Sequence, residues 1–150
     1  MQLLVYTDYA LRILLYAGAH HPGPPVAAGE IAAAYGISVD HVAKAAKALT
    51  RQGWLRATRG AGGGVQLAKD PADIPIGDVV RLFESGRGPV ACLRTDGDPC
   101  RVKPACRLRG LFERAQAAFY RELDGQTLAD VLEPRARIVQ LLPLAAARAR

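Results

Sequence analysis

All three cysteines of the chain, Cys92, Cys100 and Cys106, fall in one short stretch. Thiols this close can share a metal centre, form one disulfide with a thiol left over, or do no chemistry at all. The residues between and beside them include the turn formers Asp96, Gly97, Asp98, Pro99 and Pro104, which keep the stretch from being helix or strand. A loop can wrap its thiolates around a metal centre where a rigid element at this spacing could not. Three thiolates fall one short of a closed tetrahedral or cubane site, so a fourth ligand has to come from elsewhere.

Two other clusters invite chemistry and do not support it. His20 and His21 are adjacent, but neighbours in sequence point apart, and a solvated loop pair is expected. The run Arg59-Gly60-Ala61-Gly62-Gly63-Gly64 suggests a phosphate cradle, yet such a cradle needs a helix after the glycines and a Lys-Ser/Thr pair. Here an alternating, strand-like segment follows. No nucleophile stands in a recognisable pairing with a base, so a hydrolase or transferase is not expected, nor an enzyme of any kind.

Half of the 150 residues are apolar, enough for a core that needs no disulfide staples. The start of the chain lacks the basic region of a signal peptide, and no apolar run approaches the roughly 20 residues of a membrane span. A cytoplasmic location is expected, where clustered thiols are more often metal ligands or sensors than structural disulfides. Net charge is +6 with pI near 9.6, which permits nucleic-acid binding without establishing it. Residues 71–134 are nearly balanced, and the cationic excess lies at the two ends.

The elements around the cysteines read as follows. A largely buried helix is expected over residues 7–19, with Thr7 as N-cap and Asp8 in the first turn, where the helix dipole favours an acid. A short helix, Glu30–Tyr35, ends at Gly36 in the left-handed position, and Ser38 caps the next helix. Ile37 and Val42 stand at staple positions across that cap. In this second helix Val39, Val42, Ala43, Ala46 and Leu49 form the expected inward face, with Asp40, His41, Lys44, Lys47 and Arg51 outward. Leu55–Thr58 and Val65–Leu67 alternate like strands on either side of the glycine loop.

A helix-turn-helix followed directly by a glycine-tipped hairpin is a winged helix. Such a domain places its second helix in the major groove of DNA and its wing on the backbone or in the minor groove. Ser38, His41, Lys44 and Lys47 are the recognition-helix candidates, and Arg59 with Gly60 the wing candidates. Arg56 is placed for phosphate or minor-groove contact.

Ile76–Phe83 is a further amphipathic helix covering this domain. After Cys106 comes the longest helical pattern, over residues 107–123. Leu108, Leu111, Phe112, Ala115, Ala118, Phe119 and Leu123 trace its apolar stripe, expected to be a dimerisation face. Thr127–Asp130 has the form of a capping box for a short last helix stopped by Pro134, and the tail from Pro143 is expected to lack fixed structure.

The expected fold is thus mostly α. It comprises a winged helix-turn-helix domain with a small β-hairpin wing over residues 1–84 and a cysteine cluster-binding loop over 85–106. A dimerisation helix with a short following helix spans 107–133, and a C-terminal tail spans 134–150.

Tyr6–Arg12, the helix-turn-helix, Arg59–Ala68, Ile76–Arg81 and the three-cysteine loop occur in an order that resembles the Rrf2 family of bacterial winged-helix regulators. The resemblance covers residues 1 to about 133. Within the family the chain looks most like the nitric-oxide-sensing repressors. That resemblance implies a homodimer on palindromic double-stranded operator DNA, with no membrane partner. It also implies one iron–sulfur cluster per subunit, a four-iron cluster favoured and a two-iron cluster the alternative. The implied ligands are Cys92, Cys100, Cys106 and, from the partner subunit, Asp8. By its own residues Asp8 reads as a first-turn acid, and only the resemblance makes it a ligand. Cys92 and Cys100 enclose a longer segment than the family pattern. Arg109 stands where regulators of iron–sulfur cluster supply carry a histidine ligand. Same-fold sensors of cluster supply or redox state, and a cluster-free zinc or thiol switch, are the alternatives. An electron-transfer protein would need no winged helix and normally four cysteines.

Overall fold

The computed structural model describes residues 2–97, 100–142 and 144. Asp98 and Pro99, two of the expected turn formers, lie outside the described residues, as does the tail from Pro143 apart from Leu144.

Helix α1, Val5–Ala19, buries Thr7, Ala10, Ile13, Leu14, Tyr16 and Ala17 and runs through the centre of the fold. It begins earlier than its sequence suggests, with Leu4 rather than Thr7 at the N-cap. The reason is Glu84. Its carboxylate accepts the Leu4 N–H at 2.7 Å and the Thr7 hydroxyl, so a residue distant in sequence does the work of a cap. Helices α2, Ala28–Tyr35, and α3, Val39–Arg51, form the helix-turn-helix. Gly36 closes α2 at φ 63° with the Ile37 N–H on the Ala32 carbonyl, the left-handed ending its sequence position implies.

Strands β1, Leu55–Thr58, and β2, Gly64–Leu67, pair antiparallel in the register Leu55 with Leu67 and Thr58 with Gly64. Val26 and Val65 exchange both backbone hydrogen bonds at 2.8 Å, which ties the hairpin to the chain entering α2. A side chain on Gly64 would collide with the Val26 carbonyl. That glycine is there for close backbone approach, whereas Gly60 and Gly62 supply the positive φ of the tip.

Helix α4, Ile76–Glu84, packs Val79 and Val80 onto α1. Helix α5, Arg107–Asp124, then crosses α4. Arg81 clamps Asp124 with two hydrogen bonds of 2.6 Å and lies over the Tyr120 ring at 4.7 Å. The short helix α6, Leu128–Val131, starts at the expected capping box of Thr127 and Asp130 and buries Leu128 and Leu132 against α1 at Gly18.

The first part of the expected tail over 134–150 is a helix. Arg135–Leu141 forms a seventh helix, α7, which returns to α1. Arg135 Nε donates to the Ala19 carbonyl at 3.0 Å, and Ile138, Val139 and Leu142 pack on the core. His20 stands 2.7 Å from the Leu142 carbonyl and leans on Tyr16, so it is a packed residue and not half of a solvated pair.

The expected inward face of α3 is partly wrong. Val42, Ala46 and Leu49 are buried as expected, together with Ala45. Val39 and Ala43 are exposed. The buried arc of α3 is centred further round than the apolar spacing suggests, because alanines do not mark a face.

Candidate nucleic-acid interface and cysteine loop

Ser38, His41, Lys44 and Lys47 all lie exposed along α3, and Arg59 and Gly60 lie exposed at the tip of the wing. Ser38 has the extended backbone of an N-cap, but its hydroxyl makes no capping hydrogen bond. His41 and Lys44 are held from the side by α1. The His41 ring stacks on Tyr9 at 5.5 Å and meets Tyr6 edge-on at 5.7 Å, while Lys44 Nζ sits 4.8 Å from the centre of the Tyr6 ring. Two of the four recognition-helix candidates are therefore positioned by the helix that carries Asp8. Nothing in the spacing of α3 signals this. It depends on Tyr6 and Tyr9 pointing across from another helix.

The cysteine loop leaves α4 through Gly86, at φ 77°. Thr95 returns to it, its N–H and hydroxyl both on the Gly86 carbonyl. A 3-10 turn at Ala91–Leu93 carries Cys92, and another at Lys103–Ala105 leads into Cys106, the N-cap residue of α5. All three thiols are free, with Cys100 exposed and the other two half-buried. Among the described residues no three His, Cys, Asp or Glu side chains stand close enough to hold a metal ion. The donor set suits a metal centre on chemical grounds, since the thiols are unpaired and reachable.

Asp8 is paired within its own helix, its carboxylate 2.9 Å from Arg12 Nε, and both side chains are partly exposed. The Arg12 guanidinium lies 5.4 Å from the centre of the Tyr35 ring. Burial pushes the Tyr35 hydroxyl up to about 12, with Arg12 pulling it down and Asp8 adding to the rise. Arg109 on α5 makes an ion pair of 3.0 Å with Glu113.

A sequence model of the Rrf2 family, described as iron-dependent transcriptional regulators, matches residues 3–134. The chain belongs to the Rrf2 family. It is 45% identical over 142 residues, 95% of this chain and 97% of the relative, to the HTH-type transcriptional regulator NsrR of Geobacillus kaustophilus. The solved structure of CymR, the global cysteine regulator of B. subtilis, superposes with a TM-score of 0.69 at 27% identity, covering 87% of this chain and 95% of that one. T. potens IscR shares the fold, with a TM-score of 0.71 at 23% identity over 98% of this chain and 94% of its own. As an Rrf2 protein the chain is a transcriptional regulator of winged-helix fold. No described helix is long and apolar enough to cross a membrane.

Within this Rrf2 fold, Glu84 is a site residue that sequence reasoning missed. It is only 8% exposed and ends α4 just before the cysteine loop, and it holds the start of α1 immediately ahead of Asp8. A lone acid at the end of an amphipathic helix carries no sequence signal for such a role, because both partners are remote.

Proposed function

We propose that this Rrf2 protein is a homodimeric repressor of palindromic operators that senses nitric oxide through an iron–sulfur cluster, one per subunit and of the four-iron type. Cys92, Cys100 and Cys106 would hold it together with Asp8 of the partner subunit. The observation that carries the reading is the set of three free, reachable thiols on one loop leading into a helix whose outer apolar face is uncovered. The 45% identity to NsrR along nearly the whole chain supports the same assignment.

When bound, the cluster supplies iron that nitric oxide attacks, and a carboxylate ligand is the more labile side of such a site. The chain's own residues supply the response. Asp8 has an alternative partner on its own helix, Arg12, so it has somewhere to go when it is not a ligand. Tyr6 and Tyr9 flank Asp8 on α1 and reach His41 and Lys44 on α3. A shift of α1 thereby alters the presentation of the recognition helix to DNA, a two-state element biased by a local change of partner. Lys47 and Ser38 complete the groove-facing set, and Arg59 at the glycine tip contacts the backbone or minor groove.

Arg109 favours this reading over a cluster-supply sensor. A guanidinium has no lone pair to offer a metal, and here it is engaged by Glu113. The deciding experiment is the anaerobic absorption spectrum with iron and sulfide analysis, before and after stoichiometric nitric oxide. A broad visible band with iron and sulfide present, changed by nitric oxide, is expected. A protein that stays colourless after anaerobic reconstitution overturns the cluster and leaves a zinc or thiol switch. Asp8→Ala should keep a folded dimer while changing the nitric-oxide response. Unchanged spectra and operator binding in that variant would remove Asp8 from the site.

A further inference from the structure

Helix α3 has three sides with different occupations. Val42, Ala45, Ala46 and Leu49 face the core, and His41 and Lys44 are held by the tyrosines of α1. The remaining side begins with Val39, the first residue of the helix and 49% exposed, and continues one turn later with exposed Ala43. Neither contributes to the core. Valine is also a weak helix former, so helix stability does not explain it. Lys47 follows at the next turn, and Ser38 precedes, both exposed.

A pair of small apolar side chains at the leading end of a recognition helix has one chemical counterpart in the major groove. Each base pair presents donors and acceptors there, and only thymine adds an apolar group, its C5-methyl. Residues four apart on a helix stand about 5–6 Å from each other. That distance spans thymines one to two steps apart along a strand, at about 3.4 Å per step. The lysines on the same helix can serve phosphates or guanine edges, and the wing arginine the backbone. Neither kind of cation can read a methyl group, which leaves that readout to the apolar side chains at the leading end.

We propose that Val39 and Ala43 are specificity-determining residues that select thymines in each operator half-site through their C5-methyl groups. This rests on the DNA-binding reading above, and the test separates the two. The full chain, purified anaerobically, is used to select duplexes from a random library. Each thymine of the preferred duplex is then replaced by deoxyuridine, which removes the methyl and keeps every hydrogen-bonding group. One or two positions per half-site should weaken binding by about fourfold each, the worth of one buried methyl. In Val39→Ser or Ala43→Ser the thymine and uracil duplexes should bind alike at the corresponding position. Both residues are exposed, so the variants should fold, as circular dichroism would verify. A preferred duplex with no methyl-sensitive position, or with methyl sensitivity unchanged in both variants, overturns the assignment. A selection that returns no preferred duplex overturns the DNA-binding reading and this assignment with it.

Discussion

The winged helix and the cysteine-loop half of this chain are built to different standards of completeness. Among the described residues, Ala10 to Val80 supply nearly all the buried apolar ones, joined by Leu128 and Leu132 from α6 and its end. Helix α5, the longest element, has no buried residue at all. Its C-terminal half rests on the core through Phe119, Tyr120 and Leu123, while Leu108 is 62% exposed and Leu111 51% exposed. The first region buries its apolar residues within the subunit. The second carries an uncovered apolar face on α5 and three free thiols on the loop before it. Under the proposed function both would be covered by a partner subunit and a cluster.

The contrast is tested most severely by core truncation. Leu14→Ala, at a fully buried position, should cost about 2–5 kcal/mol in denaturant unfolding. Cys100→Ser, on the exposed loop, should move stability of the cluster-free protein by no more than about 0.5 kcal/mol. Equal losses would mean that the two regions are not separately built.

Next in size is the exposed half of α5. Leu111→Glu should leave the fold intact and weaken self-association by roughly a hundredfold or more, since a dimer interface would bury an unpaired carboxylate. Sedimentation at several concentrations reads this directly, and an unchanged association would remove that face from the dimer.

Glu84 forms a joint between the end of α4 and the start of α1, so its loss should be felt there. Glu84→Ala leaves the Leu4 N–H and the buried Thr7 hydroxyl without their acceptor, a loss of about 1–3 kcal/mol. Hydrogen exchange should show the first turn of α1 opening before the rest of the helix. Uniform protection along α1 would contradict the joint.

The smallest effect concerns the Arg81–Asp124 clamp between α4 and α5. The hydrogen bonds from Arg81 hold the Asp124 carboxyl below the usual carboxylate range. A folded pKa below the unfolded one means the contribution is present above the ordinary carboxylate pKa and is lost as pH falls through the depressed value. The pair is exposed, so the acid limb of the stability curve should differ only slightly between the native chain and Asp124→Asn. A large difference would show the clamp to be more shielded than its exposure implies.

Much of the fold was legible because short-range chemistry sets it. Gly36 ends α2 because only glycine takes that left-handed turn without cost, and Thr127 with Asp130 starts α6 because each side chain satisfies the other's backbone. The hairpin is delimited by its glycines. In each case the deciding partners lie within a few residues. Thr7 was misread as a cap for the opposite reason. Its hydroxyl is taken by Glu84, which no local pattern foretells.

What the sequence determined by itself is therefore the order of elements, the wing, the gathering of three cysteines in one loop and membership of the Rrf2 family. These follow from spacing, turn chemistry and motif order, all of which are local. Only the tertiary structure decided which side of α3 is free. The core takes the face bearing Ala45, the α1 tyrosines take His41 and Lys44, and Val39 and Ala43 are left outside. It also decided that Arg135–Leu141 is a helix docked on α1 and that the carboxylate of Glu84 holds the start of α1. Packing partners from distant segments settle such matters, because an alanine-rich helix or a lone acid satisfies several environments equally well until a neighbour arrives.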